Sequence, residues 1–381
     1  MEKLNVGMIG GGGPESFFGN AHKRAISLDA SRYLRAGALR SNPEAAMQAA
    51  EDMGIEGYSD YKSMAADCQS GKLDLDYVTI VTPNYAHYEP AKTFLEAGVP
   101  VLCEKPMTLT IEESRELGRI ADEKNLPFVL AHTYTGHPML MYARELVRNG
   151  TLGRIRKVQS WYTQGFLAAK LEEQGVKQAE WRTRPEYAGM SCCGGDIGTH
   201  AFVGATWTTG LGIRRVSARL NSFVAGRQLD DDFNVFAEMD NGATAVIIAT
   251  QIAVGYKNDH GIRICGEDGS LEWHQERAES LLLRRGEIDE TYWIGANYSF
   301  FPDSISTYLR GLPSGHNQDF YAALANLHTT MERKVRRKKG ESHVPAAYPH
   351  PGAQEGIDGL KFVKAAVNSS KQHGSWTDLE D

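Results

Sequence analysis

MIGGGGPESFFGNAH, residues 8–22, decides the fold of this chain because it joins an apolar strand to a helix through a glycine-rich turn. Glycines let the backbone approach a pyrophosphate closely, and the N-terminus of the next helix supplies amide donors. Gly10 and Gly12 fit the start of a G-x-G turn, and Gly19 is the natural third glycine after an insertion that begins at Gly13. We expect these four glycines to contact a dinucleotide.

The surrounding pattern supports a nucleotide-binding fold, because a glycine-rich turn alone is a weak signal. Short apolar strand patterns alternate with helical patterns through the first 131 residues. This alternation indicates parallel βαβ units, whose right-handed crossovers place the carboxyl ends of the strands at one edge. We predict an α/β Rossmann domain over residues 1–131, with a parallel, doubly wound sheet.

The pattern changes in the second half of the chain. Strand patterns follow one another from residue 155 to residue 284, with a hairpin signal at Asn241-Gly242. We predict an α+β domain over residues 132–381, with an open, mostly antiparallel sheet for substrate binding and oligomerisation. A helix near 354–369 is expected to pack back on the first domain. Residues 286–315 show little periodicity and are interpreted as a long linker, either a lid, an oligomer arm or a packed loop.

Composition excludes several classes of protein. Of the 381 residues, 41% are hydrophobic and 23% are charged, and the formal net charge is −7, which does not favour a nucleic-acid partner. No apolar run approaches the length of a membrane span, and no leader pattern precedes the first strand. The five cysteines lack the spacing of a disulfide framework. We therefore expect a cytoplasmic protein that binds neither membrane nor nucleic acid.

The end of the second strand bears on the choice between NAD and NADP. A carboxylate commonly binds the NAD ribose at this position. Residues 38–42 contain none, and Arg40 and Ser41 can instead receive a 2′-phosphate. Equally, Arg40 can stack on adenine while Ser41 or Asn42 binds an unmodified ribose. Both cofactors remain open, with NAD preferred.

Two further strand ends carry polar groups. Thr82, Pro83 and Asn84 follow the fourth strand and lead to His87, a group that suits contact with the cofactor, although Asn84 also fits a helix cap. VLCEKP, residues 101–106, ends the next strand in Glu104-Lys105-Pro106. Because that edge of the sheet is where a dinucleotide lies, Lys105 is a candidate proton carrier and Glu104 a candidate cofactor contact.

A second motif lies in the other domain, GGDIGTH at residues 194–200. Asp196 and His200 are four residues apart, so a helix would place them on one face. A carboxylate and an imidazole on one face can orient a hydroxyl group and accept its proton. A capping and packing role would be the better interpretation if the pair occurred without Lys105.

These motifs together resemble the Gfo/Idh/MocA oxidoreductase family, over essentially the whole chain. The resemblance rests on the glycine turn, Thr82-Pro83-Asn84 with His87, Glu104-Lys105-Pro106, Trp181-Arg182 and residues 195–200. It implies that Lys105, Asp196 and His200 face the nicotinamide and the reacting carbon. It also implies that Trp181 and Arg182 lie at the cofactor. The lengthened glycine turn departs from the family pattern.

The resemblance further implies a carbohydrate substrate. Residues 132–138, HTYTGHP, and Leu229–Asp232 are similar to a carbohydrate-associated subgroup, some of whose members oxidise C3 of glucose units in glycosides. Tyr134, His137, Trp161 and Gln164 lie on segments that can face the sugar. We expect an NAD(P)-dependent dehydrogenase of sugars, glycosides or polyols, and a homo-oligomer.

The expected chemistry assigns each residue a role. His200 is the preferred base, Lys105 stabilises charge on the reacting oxygen, and Asp196 orients a hydroxyl or His200. Direct proton transfer by Lys105 is the alternative. No catalytic metal is expected, because metal-ligand spacings are lacking and Lys105 would place a cation at the site. A redox-cycling glycosidase and a non-catalytic nucleotide or sugar sensor are the competing functions.

Overall fold

The computed structural model describes residues 2–13 and 16–379. The chain forms two compact units, one of residues 1–136 with 319–357 and the other of residues 137–318 with 358–381. The units therefore differ from the predicted division at 131/132, because a C-terminal segment returns to the first unit.

The first unit has the predicted parallel sheet. The strands in the described part of this unit are β1 (Leu4–Ile9), β2 (Arg32–Ala38), β3 (Glu56–Gly57), β4 (Tyr77–Ile80), β5 (Val101–Glu104) and β6 (Phe128–Ala131). Its helices are α1 (Phe17–Ser27), α2 (Pro43–Met53), α3 (Tyr61–Gln69), α4 (Tyr88–Glu96), α5 (Ile111–Glu123) and α11 (Phe320–Lys338). The strand order β3-β2-β1-β4-β5-β6 reverses between β1 and β4, where ligands bind in such sheets. The doubly wound sheet is confirmed.

Helices α1 and α11 cover one face of this sheet. Ala21 and Ala25 of α1 pack with Leu324 and Leu327 of α11 over the buried side chain of Val6. The alanines keep α1 narrow, so that the two helices and the sheet approach closely. Removing this apolar surface from water stabilises the layer that positions β1, β4 and β5.

The second unit has a mixed sheet. Its strands in the described chain are β7 (Ile155–Thr163), β8 (Ile213–Asn221), β9 (Asp232–Met239), β10 (Thr244–Thr250), β11 (Asp259–Gly266), β12 (Ser270–His274), β13 (Ser280–Arg285), β14 (Ile288–Trp293) and β15 (Thr377–Asp378). The order is β14-β13-β12-β11-β7-β10-β9-β8-β15, antiparallel except for the parallel β7–β10 pair. The mostly antiparallel sheet is confirmed.

The helices in the described part of the second unit are α6 (Pro138–Arg148), α7 (Lys177–Arg182), α8 (Pro185–Ala188), α9 (Thr199–Thr209), α10 (Asp303–Ser306) and the larger part of α12 (Ala353–Lys371), whose residues 353–357 belong to the first unit. Of these, α6 packs on β12 and β13, and α9 packs on β7, β10 and β11. A Cβ on Gly204 would lie 3.1 Å from Ser160 Oγ, so α9 packs closely on β7. On strands β9 and β10, Phe236 and Ile248 are exposed.

The segment interpreted as a linker is partly regular structure. Ile288–Trp293 forms β14 at the edge of the sheet and pairs with β13. Four of its six residues are exposed, so it has no apolar face for the sequence to show. Among the described residues, no helix is both long enough and apolar enough to cross a membrane.

Candidate active site

The glycine turn follows β1 with the backbone that glycine favours. Gly10 and Gly11 have φ values of 81° and 78°. Gly10 N donates to Ala38 O at 2.9 Å and Gly12 N to Leu39 O at 3.1 Å, which fixes the turn against the end of β2. A residue with a side chain is strained at a positive φ of this size. The insertion noted in the sequence includes residues 14 and 15, which lie outside the described residues.

Helix α1 begins in contact with the turn. Ser16 Oγ accepts from Gly19 N at 3.3 Å, and Ser16 N donates to Gly13 O at 2.9 Å. A Cβ on Gly19 would lie 2.1 Å from Gly11 O, so only glycine allows this approach. The concave backbone at a helix N-terminus fits the pyrophosphate of a dinucleotide. This geometry supports the prediction that Gly10, Gly12, Gly13 and Gly19 bind the cofactor.

The end of β2 presents an exposed cation near the turn. Arg40 is exposed, and its Nε donates to Gly12 O at 3.3 Å. Ser41 is exposed as well, while Asn42 caps α2 by accepting from Ala45 N at 2.9 Å. The cap occupies Asn42 Oδ1, so Arg40 and Ser41 are the better candidates for contact with the adenosine ribose.

A buried imidazole connects the ends of β4 and β5. Nδ1 of His87 lies 2.8 Å from Pro106 O, and its Nε2 lies 2.8 Å from Thr82 O. Burial lowers the pKa of His87, although both carbonyls oppose that shift. His87 thus braces two strand ends that carry predicted cofactor contacts.

The segment between β4 and α4 differs from the predicted helix cap at Asn84. Pro83 precedes a 3₁₀ turn over Asn84–Ala86, and α4 then begins at Tyr88 with His87 in the cap position. The interpretation of Asn84 as the helix cap is therefore wrong. Thr82 Oγ1 donates to Ala86 O at 2.8 Å and stabilises the turn.

Glu104 and Lys105 are both buried at the end of β5. Glu104 Oε1 lies 2.9 Å from His22 Nε2, and its Oε2 accepts from Lys105 N at 3.3 Å. A buried carboxylate needs such partners, because burial otherwise strongly disfavours its charge. The Glu104 side chain thereby fixes the peptide that carries Lys105.

In the second unit, Asp196 lies in a π-helical turn, Gly194–Gly198, that leads into α9. Its Oδ2 accepts from Arg182 Nε at 3.1 Å and from Gln251 Nε2 at 2.9 Å. The Arg182 guanidinium also lies 4.1 Å from the centre of the Trp181 ring. The predicted cofactor residues Trp181 and Arg182 are therefore tied to Asp196, whose charge Arg182 neutralises.

A second carboxylate shapes this turn. Asp230 is buried and accepts from Ser191 Oγ, Cys192 N and Gly194 N, each at 3.0 Å. Burial raises the pKa of Asp230, and these hydrogen bonds oppose the increase. Asp196 N donates to Cys192 O at 2.9 Å, so the contacts of Asp230 also position Asp196.

We expect Asp230→Asn to destabilise the protein by about 3 kcal/mol, because an amide group cannot accept from all three donors. Asp232→Asn is the matched control, since Asp232 is only partly buried and accepts from the side chains of Asn221 and Asn234. That change should cost less than about 1 kcal/mol. Chemical denaturation measures both values, and equal losses would contradict the role given to Asp230.

His200 stands one turn beyond Asp196 and packs against the sheet. Its ring centre lies 5.9 Å from that of Tyr162 and 6.5 Å from that of His260. The Tyr162 hydroxyl donates to Asn258 Oδ1 at 2.9 Å. His200 is partly exposed, and one side of this candidate base packs against aromatic rings.

The two predicted sugar contacts on and directly after β7, Trp161 and Gln164, lie on opposite faces of the sheet. Ser160 and Tyr162 face α9, and Gln164 continues that alternation. Trp161 lies on the opposite face, where its ring packs over Gly261 and against His274. The structure therefore brings Tyr162 to His200 and places Trp161 away from it.

Tyr134 and His137 are both buried. The Tyr134 ring contacts Phe320 in the first unit, with 6.5 Å between ring centres. His137 begins the second unit, where its ring lies 5.6 Å from that of Trp273. Gln164 is buried too, and its main chain pairs with Thr250 and Ala253.

Two buried histidines predict acid sensitivity. Burial lowers the pKa of His137 to about 3 and that of His260 to about 4. Below pH 6.5 the unfolded chain binds protons that these folded imidazoles do not, so stability falls as the pH decreases. At pH 5 the expected loss is about 2 kcal/mol for each histidine relative to pH 7.5.

Denaturation of His260→Gln at these two pH values tests this expectation. Its loss of stability on acidification should be smaller than that of the wild-type protein by about 2 kcal/mol. His343→Gln, at a side chain 68% exposed, is the control. If His260→Gln and the wild-type protein lost the same stability, burial of a neutral His260 would not be the cause.

The sequence contains 12 histidines, a residue type that commonly binds metal ions. Within residues 2–13 and 16–379, no three His, Cys, Asp or Glu side chains group as metal ligands.

The sequence did not identify Tyr162, Asp230, Gln251 and His22 as site residues. Asp230 belongs to the segment Leu229–Asp232, but a run of three aspartates does not reveal which one is buried. Tyr162 is adjacent to the predicted Trp161. For Gln251 and His22 there is no local signal, since their partners are distant in sequence.

Comparison with known proteins identifies the class. Residues 4–132 match an oxidoreductase family with an NAD-binding Rossmann fold, so the first unit is an NAD-binding domain. Residues 140–272 match the GFO/IDH/MocA C-terminal domain. The chain belongs to the Gfo/Idh/MocA oxidoreductase family, which confirms the resemblance found in the sequence.

Individual relatives extend over most of the chain. Levoglucosan dehydrogenase of Pseudarthrobacter phenanthrenivorans is 30% identical over 312 residues, 74% of this chain and 76% of the relative. The crystal structure of an oxidoreductase from Sinorhizobium meliloti matches with 34% identity and a TM-score of 0.86, covering 99% of both chains. An inositol dehydrogenase homologue from Azotobacter vinelandii, complexed with NADH and myo-inositol, matches with 27% identity and a TM-score of 0.89, covering 99% of this chain and 98% of that one.

Proposed function

We propose that this protein is an NAD(P)-dependent dehydrogenase that acts on a secondary hydroxyl group of a sugar, glycoside or polyol. The observation that carries the proposal is the buried Lys105, fixed through Glu104 at the ligand-binding edge of an NAD-binding sheet. Relatives named for levoglucosan and inositol support a substrate with several hydroxyl groups. Oxidation at C3 of a glucoside is the finer form of the proposal.

A bound nicotinamide supplies the hydride acceptor, and the protein supplies proton transfer and orientation. His200, partly exposed beside Tyr162, accepts the hydroxyl proton. Lys105 stabilises negative charge on the reacting oxygen. Asp196, held by Arg182 and Gln251, orients a neighbouring hydroxyl group.

The remaining predicted residues take supporting roles in this proposal. The glycine turn and Arg40 bind the dinucleotide, with NAD preferred over NADP, and Thr82 and Pro83 lie at the nicotinamide end. Tyr134, His137 and Gln164 are proposed near the sugar. Trp161 stays a predicted sugar contact, and Tyr162 is added to the proposal because its ring packs against His200.

The sheet of the second unit supports a homo-oligomer. Phe236, on the face opposite α9, is 61% exposed, and Ile248 on the next strand is 38% exposed. Apolar side chains on an open sheet face favour burial against a second copy of the chain. Light scattering on the purified protein tests this part of the proposal. The cysteine pattern supports a cytoplasmic location.

The direct test is to denature the purified protein, identify any nucleotide released, and screen sugars, glucosides and polyols with NAD⁺ and NADP⁺. Absorbance increasing at about 340 nm, as the reduced nicotinamide forms, supports the proposal and identifies the substrate. Glycoside cleavage without net reduction favours the redox-cycling glycosidase. A protein that binds nucleotide or sugar but turns over no compound favours a sensor, and the dehydrogenase proposal then fails.

A further inference from the structure

A line of buried polar side chains crosses the first unit between its sheet and helices α1 and α11. His22 Nε2 lies 2.9 Å from Glu104 Oε1, and His22 Nδ1 lies 3.0 Å from His328 Nε2. His328 Nδ1 lies 2.9 Å from the Tyr77 hydroxyl. Glu104 is 6% exposed and the other three residues are fully buried. We call Glu104, His22, His328 and Tyr77 the His22 chain.

The Tyr77 hydroxyl determines the direction of donation along the chain. Among the described residues, His328 Nδ1 is its one hydrogen-bond partner. A buried phenol that donates to no acceptor loses a hydrogen bond at substantial cost, so Tyr77 donates to His328. Burial raises the pKa of Tyr77, and the phenol therefore keeps its proton.

The tautomers of both histidines follow from this direction. Because His328 Nδ1 accepts, a neutral His328 carries its proton on Nε2 and donates to His22 Nδ1. His22 in turn carries its proton on Nε2 and donates to Glu104 Oε1. The Thr79 hydroxyl, 3.1 Å from His22 Nδ1, adds a second donor to that nitrogen.

The His22 chain ends at the Glu104 carboxylate, and both oxygens of this carboxylate accept hydrogen bonds. Oε1 accepts from His22, and Oε2 accepts from the main-chain amide of Lys105. This pattern matches the ionised form, because a protonated carboxyl group would direct one O–H toward a donor. Glu104 is therefore an anion. His22 fixes the orientation of its Oε1, and its Oε2 accepts a hydrogen bond from the Lys105 peptide.

We propose that His22 is a positioning residue for Lys105: through the tautomer set by His328 and Tyr77, it holds Glu104 ionised and in the orientation that anchors the Lys105 peptide. This inference rests on the proposed function, in which Lys105 is a catalytic residue. It adds a residue of α1 and a residue of α11 to the support of the site.

The His22 chain holds the negative charge of Glu104 in place and does not conduct a proton away from it. If Glu104 took the proton of His22, each imidazole would take one from its neighbour, and Tyr77 would become a buried phenolate. Its raised pKa opposes that outcome. The chain therefore has a terminal donor at Tyr77 and a terminal acceptor at Glu104.

The first test observes the tautomers directly, in protein without cofactor or substrate. Nitrogen-15 NMR of histidine-labelled protein at one fixed pH should show His22 and His328 both protonated on Nε2 and not on Nδ1. His22→Gln and His328→Gln assign the signals. Protonation of either Nδ1, or a doubly protonated ring, would overturn the proposal without bearing on the dehydrogenase assignment.

The second test separates positioning from packing. His22→Leu removes the donor to Glu104 and is expected to lower kcat by about 10²-fold, the effect of a misplaced reacting group, with KM for the cofactor within about threefold. His22→Gln keeps an amide donor of similar reach and should recover at least about tenfold of that loss. A wild-type protein inactive with both cofactors would overturn the proposed function instead.

The matched control is another buried histidine of the first unit. His350 Nδ1 lies 2.7 Å from Thr330 Oγ1, and His350→Gln should change thermal stability but not kcat. Tyr77→Phe should retain at least about ten times the kcat of His22→Leu. Equal losses in Tyr77→Phe and His22→Leu would indicate a proton path, and equal losses in His22→Gln and His22→Leu would indicate packing alone; either result overturns the proposal.

Discussion

Lys105→Ala is expected to reduce turnover by at least about 10²-fold, because it removes the group proposed to stabilise negative charge on the reacting oxygen. The side chain is buried, so truncation also leaves a cavity. Lys105→Met removes the ammonium group while keeping most of the side-chain volume, and should show the same loss. Stopped-flow or steady-state assays with the substrate found in the screen measure kcat.

The control for this loss is cofactor affinity. We expect the Kd for the dinucleotide, measured by fluorescence, to stay within about threefold of the wild-type value in Lys105→Met, because a reacting-centre group adds little to ground-state binding. Lys62→Ala, at an exposed lysine of α3, should leave both values unchanged. Near-normal turnover in Lys105→Met would remove Lys105 from the catalytic set.

Gly19→Ala is expected to have the other large effect, on cofactor binding. The added Cβ would lie 2.1 Å from Gly11 O and 2.5 Å from Gly11 Cα, both backbone atoms. The start of α1 and the glycine turn must then separate, which displaces the amide donors proposed to bind the pyrophosphate. We expect the Kd for the dinucleotide to increase by about 10²-fold, the scale of a displacement near 1 Å.

Gly118→Ala is the matched control for this substitution. Gly118 is also a helical glycine of the first unit, and its Cβ would have ordinary contacts, 3.4 Å from Ala353 Cβ and 3.7 Å from Ile357 Cδ1. Alanine in a helix should stabilise the protein by as much as about 1 kcal/mol there, without changing the Kd. If Gly19→Ala bound the dinucleotide as tightly as Gly118→Ala, the turn would not be the pyrophosphate site.

Much of the fold was predictable because its signals are local. The glycine turn, most helices of the first unit and most strands of the second unit agree with the sequence patterns, whereas α3, β3 and β14 were not predicted, and β14 is the most informative of these. An edge strand with exposed, charged side chains lacks the alternating apolar face from which strands are recognised. The pairing of β14 with β13 therefore emerged only from the structure.

The sequence predicted the motifs of the site but not their contacts. The joint role of Asp196 and His200 stays a prediction from their spacing. The structure adds that Asp196 accepts from Arg182 and Gln251 and that His200 packs against Tyr162. Trp161 and Tyr162 show what a strand pattern leaves open. Adjacent residues of a strand point to opposite faces of the sheet, and the sequence of the strand does not indicate which face a helix covers.

The sequence by itself determined the alternation of strands and helices that defines the first unit, the glycine turn, the position of Lys105 and the family, since each depends on residues close together in the chain. The tertiary structure decided which polar groups meet: His22 and His328 are 306 positions apart, and Asp196 and Gln251 are 55 apart. Such contacts depend on how helices and sheets pack, and a buried polar side chain takes whichever partner that packing brings within hydrogen-bonding distance.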